Sequence, residues 1–166
     1  YSSGTTGTPK GVMLSFGAFG YVGEQVKTYL RIRTPQRFFS YLPLSHIAER
    51  ALMEMVAISS GSSISFAESV EKFQENLLHE QPTIFGGVPR IFAKFQQGVF
   101  EKIPRQKLDR LLRIPGIDIL VKRAIVKKLG LAKSSIIVCG AAPTPVDLLT
   151  WYNKLGIEVR ETYGMT

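Results

Sequence analysis

Cysteine is almost missing from this chain. Cys139 is the single one in 166 residues, so no internal disulfide can form. It sits in the apolar run Ile136-Ile137-Val138-Cys139-Gly140, which reads as a packed thiol rather than a nucleophile and is in keeping with a reducing, intracellular setting. Long apolar runs are missing too; none approaches the ~20 residues of a membrane-spanning helix. No cleavable signal pattern is visible, although the chain opens inside a motif and a leader is not readable from it. Acid is scarce, with 13 Asp and Glu against 21 Lys and Arg, a net charge of +8. The surplus is not spread evenly. Residues 102–133 hold ten Lys and Arg against Asp109 and Asp118, and the remainder is balanced. No aromatic residue interleaves those charges, so nucleic acid is not expected as a partner. The common P-loop is absent as well. Pro9 precedes Lys10 where that loop needs glycine, and Gly11 follows where it needs Ser or Thr.

What is present starts with the first twelve residues, Tyr1-Ser2-Ser3-Gly4-Thr5-Thr6-Gly7-Thr8-Pro9-Lys10-Gly11-Val12. Glycines let backbone N–H groups approach an anion closely, hydroxyls add donors, and Lys10 adds a mobile charge. The segment reads as a cradle for a polyphosphate, with a flexible Ser/Gly/Thr linker as the alternative. It runs into Val12-Met13-Leu14, an apolar, strand-like run.

Beyond it, apolar runs alternate with helical patterns. Strands are expected at Phe38–Leu42, Ser62–Phe66, Thr83–Val88, Ser135–Cys139 and Ile157–Glu161. Helices are expected at Phe16–Leu30, His46–Ser60, Val70–His79, Arg90–Phe100 and Pro145–Leu155. Ser15 fits a helix N-cap, Pro145 a first helical position, and Gly61, Gly130 and Gly156 helix stops. Such alternation predicts an α/β fold: a mainly parallel sheet with helices on both faces, ligands binding at the edge where the strands end. Within 102–133, Pro115-Gly116 divides two amphipathic basic helices. They read either as a solvated insertion packing its apolar side on the domain or as a peripheral contact with anionic lipid.

The opening segment resembles the phosphate-loop signature of adenylate-forming enzymes, Y-[ST]-S-G-T-T-G-x-P-K-G-V, at every position. Four further blocks resemble that family in its own order: Tyr41-Leu42-Pro43-Leu44-Ser45-His46-Ile47-Ala48-Glu49-Arg50, Thr83–Arg90, Gly140-Ala141-Ala142-Pro143, and the terminal Tyr163-Gly164-Met165-Thr166. The second is similar to the corresponding block of long-chain and bubblegum-type fatty acyl-CoA synthetases. The resemblance implies one fragment, residues 1–166, of the large N-terminal domain, carrying a phosphate loop (1–12), a basic helical insertion (about 102–133) and adenine and carboxylate motifs (140–143 and 161–166).

It also implies a reaction: ATP-dependent conversion of a long-chain fatty acid to acyl-AMP and then acyl-CoA, with ATP, Mg2+ and coenzyme A as cofactors. Thr5, Thr6, Gly7, Thr8, Pro9 and Lys10 would hold the β- and γ-phosphates. Gly140, Ala141 and Ala142 would lie beside the base, and Glu161, Thr162, Tyr163, Gly164 and Met165 would complete the nucleotide site, Tyr163 against the adenine. Thr166 would donate to the α-phosphate and carboxylate oxygens. The family's magnesium-holding glutamate would fall just past Thr166, so no metal ligand is assigned. Lys10, His46 and Thr166 are the expected catalytic groups. His46 would border the acyl carboxylate as a positioning group, since that carboxylate is already ionised at pH 7. From the residues alone, a helix cap or a buried polar group explains His46 equally, and a core tyrosine is the alternative for Tyr163. His79 reads as surface.

Ile47, Leu52, Met55 and Val56 on His46–Ser60, with Ile91, Phe92 and Phe95 on Arg90–Phe100, read as ordinary core, while the resemblance implies that elements in these positions wall an acyl tunnel in long-chain enzymes. Arg50 stands where some relatives carry a tryptophan gate, which suggests an ion pair there, with Glu49 as a partner. The isolated fragment is expected to lack turnover. A fatty-acyl-AMP ligase loading a carrier protein and a non-catalytic nucleotide-binding module are the alternatives. Localisation is expected to be cytoplasmic, or peripheral on the inner membrane face.

Overall fold

Side chains on a strand alternate between its two faces, and here both sets are apolar. Phe38, Ile84, Ile136 and Val138 form one buried layer, while Phe39, Phe85, Ile137 and Cys139 form the other. A sheet of this kind must be covered on both sides. The computed structural model describes residues 11–33 and 35–164 and shows that arrangement. The phosphate-loop positions Thr5 to Lys10, with Met165 and Thr166, lie outside the described residues.

Helix α1 (Phe16–Tyr29) leads to β1 (Arg37–Ser40). A π-helical segment (Glu49–Glu54) follows, continuous with α2 (Met55–Ser59), then β2 (Ser63–Phe66), α3 (Phe73–Glu80) and β3 (Ile84–Gly87). Next come α4 (Pro89–Lys102), α5 (Arg105–Leu111) and α6 (Ile117–Lys128), then β4 (Ile136–Cys139), α7 (Val146–Lys154) and β5 (Val159–Glu161). The strands lie in the order β2-β1-β3-β4-β5, and every neighbouring pair is parallel. Phe38 sits opposite Ile64 on one side and Ile84 on the other.

Most local signals act as expected, although Pro145 is the N-cap of α7 rather than its first helical residue. The Ser15 hydroxyl accepts the Ala18 N–H at 3.1 Å, capping α1. Gly130 ends α6 at φ +77°, and its backbone packs so closely on Leu77 that a Cβ would come within 2.8 Å of the Leu77 carbonyl oxygen. Pro115-Gly116 separates α5 from α6.

Helices α3 to α7 cover the face carrying Phe39 and Phe85. Phe92 meets Phe85 and Tyr152 edge-on, and the Tyr152 hydroxyl donates to the Phe92 carbonyl at 2.9 Å. Helix α1, the π-helical segment and α2 cover the other face, where Val26, Leu52, Met53 and Val56 join Phe38 and Ile84.

One expectation fails. Val12-Met13-Leu14 is irregular rather than strand-like, and Met13 is 99% exposed. The run enters α1, which lies against the π-helical segment and α2 over one face of the sheet. Among the described residues it pairs with no strand.

Candidate functional site

The chain leaves β1 toward β2 on one side and returns to place β3 on the other. The carboxyl ends of β1 and β3 are thus the point where the order reverses, and the loops there part to leave a crevice. A cavity of about 540 Å³ opens at that place. Its lining is divided. Gly140, Ala141, Glu161, Thr162, Tyr163 and Gly164 supply one part, and Ala18, Val22 and Val26 of α1 with Leu52 and Met53 supply an aliphatic part. His46, on the loop after β1, lines it between Leu42 and Ile47.

The turn after β4 is tied firmly to the end of β5. Thr162 donates its N–H to the Cys139 carbonyl at 2.8 Å, and Gly140 donates to the Gly87 carbonyl at 3.0 Å. The Thr144 N–H reaches Glu161 Oε1 at 3.1 Å. A Cβ on Gly140 would lie 2.4 Å from Thr162 Oγ1 and 2.9 Å from its carbonyl oxygen. Glycine is therefore required by the neighbouring backbone itself, before any ligand is considered. Ala141 sits at φ +68°, a left-handed conformation rare for a residue with a side chain, and its side chain is exposed. Cys139 is buried under this turn; burial pushes its thiol up, and it accepts from the Thr144 hydroxyl at 3.3 Å. It is a packed thiol, as the sequence suggests.

Tyr163 is 93% exposed and lines the cavity, which removes the core-tyrosine reading. His46 is half-buried. Its Nδ1 accepts the Ala48 N–H at 3.2 Å, so a neutral ring carries its proton on Nε2. Its carbonyl accepts the Glu49 N–H at 3.0 Å, which ties the ring's backbone to the π-helical segment. His79 is on the surface, beside Glu80.

Three features were not visible in the sequence. The first is the π-helical segment, in which the Met55 N–H bonds to the Arg50 carbonyl five residues back. The second is Glu49, only 1% exposed, with Oε1 lacking a hydrogen-bond partner among the described residues. Burial, and then the Glu54 charge, raise its carboxyl above the usual range; the Ser40 hydroxyl and the Leu42 backbone N–H act the other way. The third is Gly86, where a Cβ would overlap Met53 Cε at 2.3 Å; the thioether lies across the bare strand at the cavity wall.

One pairing needs correction. Arg50 does not pair with Glu49. Its guanidinium meets Glu54 at 2.8 Å and the Leu44 carbonyl at 3.0 Å, because Glu49 turns inward while Arg50 stays exposed and reaches the partly buried Glu54 four residues on. The α4 side chains follow the core reading rather than the tunnel wall that the resemblance implied. Ile91, Phe92 and Phe95 pack into the core of the opposite face, and α1 supplies the wall instead. Among the described residues no three His, Cys, Asp or Glu side chains converge, so no magnesium ligands are assigned.

A family model described as AMP-binding enzyme matches residues 1–166. The chain is 32% identical over 188 residues to long chain acyl-CoA synthetase 7, peroxisomal, of Arabidopsis thaliana, and 30% identical over 198 residues to long-chain-fatty-acid–CoA ligase ACSBG2 of Xenopus laevis. All of this chain is covered in both, but only 26% and 27% of those proteins, respectively. Among solved structures it resembles the adenylation domain of a carboxylate reductase from Mycobacterium chelonae, with a TM-score of 0.73, 26% identity, and coverage of 100% of this chain and 26% of that one. It also resembles ATP-bound MatB from Rhodopseudomonas palustris, with a TM-score of 0.70, 25% identity, and coverage of 99% and 28%.

Proposed function

The chain belongs to the AMP-binding enzyme family, and from that premise we propose that its cavity takes ATP at the Gly140–Gly164 end and a long-chain fatty acid along α1. In this reading the chain is part of an enzyme that makes acyl-AMP and then acyl-CoA. A carboxylate oxygen of the acid attacks the α-phosphorus of ATP. The new P–O bond forms as the bond to pyrophosphate breaks. The thiolate of coenzyme A then attacks the acyl carbonyl, and AMP leaves with the electron pair. Both steps concentrate negative charge on oxygens, so fixed donors and correct placement are what the protein supplies.

One observation carries the reading. A single cavity joins the polar turn and exposed ring at Gly140 and Tyr163 to an aliphatic wall, with His46 between them. Tyr163 offers a face for the base. Stacking on an aromatic ring contributes ~1–3 kcal/mol per base in single-stranded nucleic acid complexes. His46, with its proton on Nε2, offers a hydrogen bond to an oxygen at the junction. Lys10 precedes Leu14 by four residues, at most about 14 Å of extended chain, and Leu14 lines the same cavity. That reach is compatible with the loop from Thr5 to Lys10 serving the β- and γ-phosphates and Thr166 serving the α-phosphate. The relatives named as long-chain ligases support a fatty acid as the substrate.

The test is exchange of labelled pyrophosphate into ATP by the full-length protein across a panel of carboxylic acids. Exchange that rises with alkyl chain length is expected; exchange confined to small diacids or amino acids would overturn the fatty-acid reading. A second reading is transfer of the acyl group to a carrier-protein thiol in place of coenzyme A. AMP release that depends on added coenzyme A decides between them.

A further inference from the structure

Residues 102–133 carry the whole excess charge of the molecule, and α5 and α6, which make up most of that stretch, lie on the face of the sheet opposite the cavity wall formed by α1. Their two acids are already engaged. Asp118 pairs with Lys122 at 3.0 Å and Asp109 with Lys154 at 3.8 Å. Among the described residues the other cations of this stretch have no carboxylate within 4 Å. Helix α6 buries Ile125 and Leu129, and its outward side presents Ile119, Leu120, Arg123 and Lys127 at helical spacing. Leu120 is 67% exposed and Ile119 49%. The turn leading into the helix adds exposed Arg113, Ile114 and Ile117.

Aliphatic side chains left in water beside uncompensated cations are poorly suited to plain solvent. Nucleic acid would use the charge but not the aliphatics, and the stretch holds no aromatic ring to stack on a base. A surface that is anionic outside and hydrocarbon just beneath suits both. No described helix is long and apolar enough to cross a membrane, so the fit is to a surface rather than a span. We propose that the outward side of α6 and the Arg113–Ile117 turn dock on a bilayer of anionic phospholipid, cations at the headgroups and Ile119 and Leu120 at the acyl boundary. This surface is separate from the cavity and does not depend on which acid is activated.

The experiment is co-sedimentation of the full-length protein with phosphatidylcholine vesicles, with and without phosphatidylglycerol. Binding is expected only with phosphatidylglycerol and is expected to weaken steeply with salt. Each basic residue near such a surface is worth about a fivefold change in partitioning, so Arg123→Glu with Lys127→Glu should lower binding by at least about tenfold. Ile119→Ser with Leu120→Ser should also weaken binding while keeping the salt dependence. These side chains are exposed, so melting temperature and pyrophosphate exchange should stay as in the wild type and show that the variants fold. Absence of binding to phosphatidylglycerol vesicles at low salt, equal binding by wild type and both variants, or tighter binding to short duplex RNA than to vesicles would each overturn the proposal.

Discussion

The two faces of the sheet use alternate residues of the same strands and end up with opposite characters. Below Phe39, Phe85 and Ile137 the helices α3 to α7 close a continuous aromatic core, and the Tyr152 hydroxyl finds a carbonyl inside it. Above Phe38, Ile84 and Val138 the cover is incomplete. A π-helical segment, a bare glycine and a methionine stand there in place of interlocking rings, and the cavity opens between them. One face uses its apolar area for stability, while the other leaves part of it available for a ligand.

Truncation on each face is the largest test of that contrast. Phe92→Ala removes a fully buried ring that touches Phe85 and Tyr152, and should cost ~3–5 kcal/mol. That corresponds to a melting temperature lower by on the order of 10 °C for a domain of this size. Met53→Ala on the open face should cost about 2 kcal/mol, near the low end for such a change, because its terminal methyl already borders space. Denaturant unfolding of both variants measures the difference. Equal losses would mean that the two faces are packed alike.

The next effect concerns rate. His46→Ala should lower pyrophosphate exchange by on the order of a hundredfold if the Nε2 proton steadies charge on the reacting oxygens, as for other single donors of that kind. His46→Gln, which keeps a donor, should recover part of it. Loss of exchange in the alanine variant with no gain in the glutamine variant would assign His46 to structure alone. Met53→Ala and Gly86→Ala then act in opposite directions on the same wall. The first should move acid preference toward longer or bulkier chains. The second, whose Cβ displaces the Met53 methyl, should move it toward shorter ones. A ratio of kcat/KM across the acid panel reads both, and a shift in the same direction for both would sink the role of that wall.

How much of this was legible beforehand follows from the range of the interactions involved. The five strands announce themselves as short β-rich runs between turn residues, and Ser15, Gly61 and Gly130 act within one helical turn of themselves. Which face a helix covers is not local. The α4 side chains read as core, but not as the core of one particular face; the strand order puts them under the closed face and leaves the cavity wall to α1. The inward turn of Glu49 is equally non-local, because a π-helical stretch rotates residues out of the usual register and an exposed-looking Glu-Arg pair separates. Gly140 was legible as glycine, but its reason, the Thr162 backbone, needed the sheet.

Glu49 supplies the smallest and most selective test of the open face. Burial holds its carboxyl above the usual range in the folded chain, and the Glu54 charge pushes it the same way. Tyr41 lies nearby, its own phenol raised by burial and by the Glu49 charge. Between the ordinary carboxylate pKa and the raised one, the folded state binds the extra proton. Stability from this group is therefore complete below the ordinary carboxylate value, falls as pH rises through the raised value, and is level beyond it. Glu49→Gln keeps the shape and removes the titration. Relative to wild type, the variant should gain stability as pH rises from the acid side, at ~1.4 kcal/mol for every pH unit separating the ordinary value from the raised one. The lowered carboxyls of Glu68, Glu80 and Asp118 act in the opposite sense in both proteins and cancel in the difference. Urea unfolding of the pair at a series of pH values measures it. Parallel curves would show that Glu49 stays ionised and that the open face keeps a satisfied charge rather than a suppressed one.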